Sequence, residues 1–170
     1  MGDNMKGLKS YIVFGILFVS VSGTLLHFLY AWSGNNVIAG AVAPINESVW
    51  EHTKLLFFPM QLYAIYLRKK LHDLRPCISS GMAVGSILGV LSIISLFYIY
   101  TGILGFHIAF LDIAIFYVSV IIGFFAAYRL TQTCKAKPYN TALQIITAVL
   151  ACLYILFSFW PPAIPLFQAP

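Results

Sequence analysis

Five apolar runs, at about residues 10–33, 49–70, 77–100, 106–130 and 139–160, set the terms on which this chain can fold. Each reaches the roughly 20 residues that a helix needs to cross a hydrocarbon core of about 30 Å. Lipid supplies no partners for backbone N–H and C=O groups, and runs this long and unbroken are not the short alternating strands of a barrel. The spans are therefore predicted to be helices. Composition agrees, since 61% of the 170 residues are hydrophobic and 9% are charged, against about a quarter charged in soluble domains. With short connections and no linker, the reading is an all-α integral membrane protein. It forms one domain over residues 1–170, a single bundle of five transmembrane helices.

The net charge of +5 does not signal a nucleic-acid partner, because the positive residues flank the spans. Lys6 and Lys9 precede the first run, Arg68, Lys69, Lys70 and Arg75 separate the second from the third, and Arg129, Lys135 and Lys137 fall at the fourth-to-fifth connection. The other two loops and the tail hold no arginine or lysine, which predicts an N-terminus inside and a C-terminus outside. Trp32, Trp50 and Trp160 then fall at the outer interface, where an amphipathic ring is favoured. The run from Tyr11 to Trp32 is too long for the h-region of a signal peptide and reads as a retained first helix. Cys77 and Cys134 lie beside basic clusters and Cys152 in mid-span, and none reads as a disulfide partner.

Each span carries a face of small or polar residues suited to protein rather than lipid. Ser20, Gly23, Thr24, His27 and Ala31 recur at helical spacing in the first, and Gly81, Gly85 and Gly89 repeat every four residues in the third. The glycine repeat serves equally well as a contact within the bundle or as a homodimer face.

Ionisable residues concentrate on the predicted outer side. Apart from Asp3, and His72 and Asp73 in an inner loop, every acidic or histidine side chain lies there: His27, Glu47, Glu51, His52, His107 and Asp112, with Lys54 among them. Such groups at membrane depth are costly and point to function. Histidines with a carboxylate are the ligand set of zinc or another divalent ion, which leaves a position open for water. His27, His52 and His107 are the expected ligands, with Asp112 as a fourth ligand or an orienter. Glu51 is the expected general base, and Glu47 and Lys54 complete the catalytic set. Structural roles compete for most of these residues. Ser48 to Glu51 has the spacing of a capping box, Lys54 sits three residues from Glu51 for an ion pair, and His27 suits an interhelical hydrogen bond. His107 suits an interface, while Asp112 is the hardest to explain structurally. Two histidines, His27 and His107, also match the ligand count of a haem. Pro59 is expected to kink the second span, and the apolar loop over residues 33–46 to fold over the cluster or rest among headgroups.

The run NESVWEHTK, residues 46–54, with LLHFLYAWSG before it, resembles a family of small multi-pass bacterial membrane proteins known as a domain of unknown function. The resemblance implies a bacterial cytoplasmic membrane as the setting and no particular substrate. The leading expectation is a metal-dependent hydrolase or transferase acting on a lipid or lipid-linked substrate at the outer leaflet. The alternatives are a proton-coupled carrier using Glu51, Lys54, Asp112 and Gln61, or a non-catalytic assembly protein using the glycine face.

Overall fold

A computed structural model of the protein describes residues 2–71 and 76–170, with side chains from residue 7 onward. Asp3, Lys6, His72, Asp73 and Arg75, named above, lie outside the described side chains. The described residues form helices and turns: α1 (Gly2–Trp32), the short α2 (Val37–Val42), α3 (Val49–Leu71), α4 (Ile78–Leu104), α5 (Ala109–Thr133) and α6 (Asn140–Phe159). Four of them, α1, α4, α5 and α6, are long and apolar enough to cross a membrane, which makes this a multi-pass membrane protein.

The fifth long helix, α3, matches its expected boundaries but falls short of the apolarity of a span on its own. Its position explains the difference. It lies between α1 and α4, while α5 runs along α4 and meets α1, so the first half of α3 is shielded by its neighbours, whereas Leu62, Ile65 and Tyr66 further along stay exposed. Its buried residues include Glu51, Thr53 and Lys54 beside Leu56, Phe57 and Met60. A helix facing protein can carry polar groups that a lipid-facing helix cannot. Pro59 is accommodated inside α3, which continues through it to Leu71.

The glycines of α4 are used within the chain. Gly85 and Gly123 face each other across the α4–α5 seam, and a Cβ added to Gly123 would lie 2.8 Å from Gly85 O. Gly81 abuts Thr131, and Gly89 abuts Leu56 of α3. All three glycines of the repeat are buried, and the face packs against α3 and α5 of the same chain.

Two expectations fail here. Cys77 and Cys134 are joined in a disulfide with their Cα atoms 5.3 Å apart. Antiparallel α4 and α5 bring the start of one helix beside the end of the other, across 57 residues of sequence. Trp32 and Trp160 are exposed as interfacial anchors would be, but Trp50 is buried. Its ring packs against Tyr154 of α6 and Phe167 of the tail, with centroids 4.6 and 5.0 Å away.

Candidate functional site

The start of α3 carries two separate polar clusters. The first is a buried ion pair. Lys54 Nζ donates to Glu51 Oε2 at 2.8 Å, to Gly40 O at 3.0 Å and to Ala43 O at 3.3 Å, and it also meets Ser158 Oγ of α6. Glu51 Oε2 accepts from the Ile45 N–H at 2.9 Å, and Oε1 accepts from Ser158 Oγ at 2.8 Å. Both side chains are sealed from solvent, with Glu51 1% and Lys54 0% exposed. The pair therefore pins the α2 loop onto α3 and α6. The loop does fold back over the bundle, held by this clasp.

Only half of the expected capping box forms. Ser48 Oγ accepts from the Glu51 N–H at 3.4 Å, but the Ser48 N–H donates to Asn46 Oδ1 at 2.9 Å because the Glu51 carboxylate is engaged with Lys54. Expected at a reacting centre, Glu51 and Lys54 are instead committed to the clasp, and neither lines the adjoining cavity.

That cavity, of about 680 Å³, opens between α1, α3, α4, α5 and the C-terminal tail. Its walls are mostly apolar, and its polar groups form two stations. At the first, His27, Glu47 and His52 each offer a ligand atom, all within 4.8 Å of one another. His52 Nε2 lies 3.3 Å from Glu47 Oε2, and the His27 and His52 ring centroids are 5.3 Å apart. His27 Nδ1 is buried with no hydrogen-bond partner among the described residues. His52 Nδ1 lies 2.9 Å from Ser48 O. A carbonyl oxygen only accepts, so Nδ1 carries the proton and the Nε2 lone pair faces the Glu47 carboxylate. Two lone pairs at that distance repel unless a cation stands between them, either a proton on Nε2 or a metal ion. A backbone carbonyl fixing the far nitrogen is also how metal-ligating histidines are oriented.

The second station is His107 with Asp112. His107 Nδ1 lies 3.4 Å from Asp112 Oδ2, and Tyr100 of α4 donates its hydroxyl proton to Asp112 Oδ1 while accepting from the Ile108 N–H at 3.1 Å. Asp112 thus holds His107 by Nδ1 and leaves Nε2 for other work. Tyr100 gave no signal in sequence, because a tyrosine near a span end reads as an interfacial aromatic. Glu47, expected among the catalytic residues, joins His27 and His52 instead. His107 and Asp112, expected on the metal, pair with each other on the wall of the same cavity.

The fold and this cavity define a class: a multi-pass helical membrane protein with a histidine–carboxylate site at one end of its bundle. The chain belongs to a family of unknown function, DUF6512, whose model matches residues 1–170. No curated protein and no solved structure matches it.

Proposed function

We propose that this protein is a membrane-embedded, metal-dependent hydrolase or transferase whose site faces the outer leaflet. All five long helices, α3 included, span a bacterial cytoplasmic membrane in this reading, with the N-terminus inside and the C-terminus outside. The basic flanks support that orientation, because Lys9, Arg68, Lys69, Lys70, Arg129, Lys135 and Lys137 lie toward the end of the bundle opposite the cavity.

One observation carries the reading: His52 Nε2 stands 3.3 Å from Glu47 Oε2, with His27 alongside, on the wall of a largely apolar cavity. His27, His52 and Glu47 would hold a divalent ion of the zinc type, which supplies Lewis acidity and lowers the pKa of bound water from about 15.7 to near 7. His107, oriented by Asp112 and Tyr100, moves the proton. The apolar walls admit the chain of an amphiphile from the bilayer.

The carrier reading has less support. Between the Glu51–Lys54 pair and Gln61, α3 presents Leu56, Phe57 and Met60, all fully buried, and Gln61 is tied to Ser86 at 2.8 Å.

Elemental analysis of the detergent-purified protein after zinc loading and dialysis tests the proposal. About one zinc per chain is expected for wild type, with loss in both His27→Ala and His52→Ala. A wild type that stays folded and retains no metal refutes it.

A further inference from the structure

The charges around the cavity narrow the substrate further, on the premise of the metal site just proposed. No lysine or arginine lines the cavity among the described residues. Lys54, the nearest in sequence, has its ammonium surrounded by four oxygen acceptors and is fully buried. The next basic residues on the same helix are Arg68, Lys69 and Lys70, in its last turn. At 1.5 Å per residue they lie about 25 Å along the axis from His52.

The cavity does hold two carboxylates, Glu47 and Asp112. Together they offset the charge of one divalent ion. A phosphate ester brings at least one negative charge of its own, and many sites that take phosphate supply arginine or lysine for it. This cavity supplies none, so a phosphate would meet an ion whose charge the two carboxylates already offset, with no further cation to balance its own. An uncharged carbonyl meets no such penalty, and it gains negative charge on oxygen only as it reacts, which is where a Lewis acid helps most.

The size is also informative. About 680 Å³ lies within the range of roughly 300–1,000 Å³ typical of sites for a single small molecule. Phe28 of α1 and Ile113 of α5 line the cavity and remain 46% and 57% exposed. An apolar chain can therefore continue past them into the bilayer.

We infer that the substrate is a long-chain amphiphile whose reacting group is an uncharged acyl carbonyl, an ester or an amide, and not a phosphate ester. In the hydrolysis a water oxygen adds to the carbonyl carbon, and the bond from that carbon to the alcohol oxygen or amine nitrogen breaks. The proton removed from water passes through His107 Nε2 to the leaving alcohol or amine. One water is consumed, and a carboxylic acid and an alcohol or amine result.

The test uses zinc-loaded full-length protein in detergent micelles with two single-chain probes, p-nitrophenyl dodecanoate and dodecyl p-nitrophenyl phosphate. Turnover of the acyl ester is expected, with no detectable turnover of the phosphodiester. The ester activity should be lost in His52→Ala and reduced at least about a hundredfold in His107→Ala. Binding supplies a readout independent of turnover. 2-Tridecanone, an uncharged carbonyl that cannot be hydrolysed, should bind about tenfold more tightly than dodecylphosphonic acid. Metal content is measured on the same samples. Protein without metal refutes the metal site itself. Metal-loaded protein that prefers the phosphodiester and the phosphonate, or that cleaves neither probe, overturns the acyl assignment alone.

Discussion

Lys54→Met is the most informative single change in this protein. It removes an ammonium that satisfies Gly40 O, Ala43 O and Glu51 Oε2, and it leaves the Glu51 carboxylate buried with only Ile45 N–H and Ser158 Oγ for company. Removing one partner of a buried pair costs about 3–5 kcal/mol, because the remaining charge stays uncompensated. Both residues here are essentially inaccessible to water, so the cost is not discounted by solvent screening. Glu51→Leu combined with Lys54→Met removes both charges, and such replacements are often close to neutral. The double variant should therefore be more stable than Lys54→Met alone by about 2 kcal/mol, although the Ile45 N–H and two loop carbonyls remain orphaned. Reversible unfolding in mixed micelles, run on wild type, both single variants and the double variant as a cycle, measures the coupling. A Lys54→Met loss below about 1 kcal/mol, or losses that simply add, would show that the two side chains do not share a buried site.

Two further outcomes follow from the packing and the orientation. Gly85→Leu should destabilise the bundle by about 1–3 kcal/mol or more, because the α4–α5 seam has no room for a side chain, whereas Gly102→Leu, in open surroundings, should cost little. Thermal unfolding of the two variants side by side checks this, and equal losses would contradict the seam. If the basic end of the bundle faces the cytoplasm, Cys77 and Cys134 should be reduced dithiols in growing cells and close into the disulfide only on oxidation. Acid quenching followed by alkylation under denaturing conditions reads their state, with the unpaired Cys152 as an internal control. A pair already bridged in intact cells would invert the proposed orientation.

The long helices were legible because length and apolarity are local properties. The 3.6-residue period also marks the glycine face of α4 that meets other helices, whereas of the corresponding stripe on α1 Gly23 is buried while Thr24 and Ala31 are exposed. The Cys77–Cys134 bridge was hidden because it depends on two helices running antiparallel, which no local pattern records. The same holds for Trp50, which reads as an interfacial ring until Tyr154 and Phe167 arrive from more than 100 residues away. At the site, sequence identifies the ionisable residues worth attention and one true partnership, Lys54 with Glu51 three residues away, but not the others. The partnership of Glu47 with His27 and His52 is not legible, because it is set by the loop that α2 folds back.

That loop explains why so many ionisable residues crowd one stretch of nine. Successive helical positions diverge by about 100°, so Glu51 and His52 cannot serve the same cluster. Lys54, three residues from Glu51, shares its face, and Ser158 closes that face from α6. His52 turns instead toward His27 of α1 and Glu47 of the loop. The clasp fixes the loop at Gly40, Ala43 and Ile45, two residues before Glu47. A charged pair that never meets solvent thus holds in place the carboxylate that faces His52. Loosening the clasp should therefore weaken metal retention even in protein that remains folded.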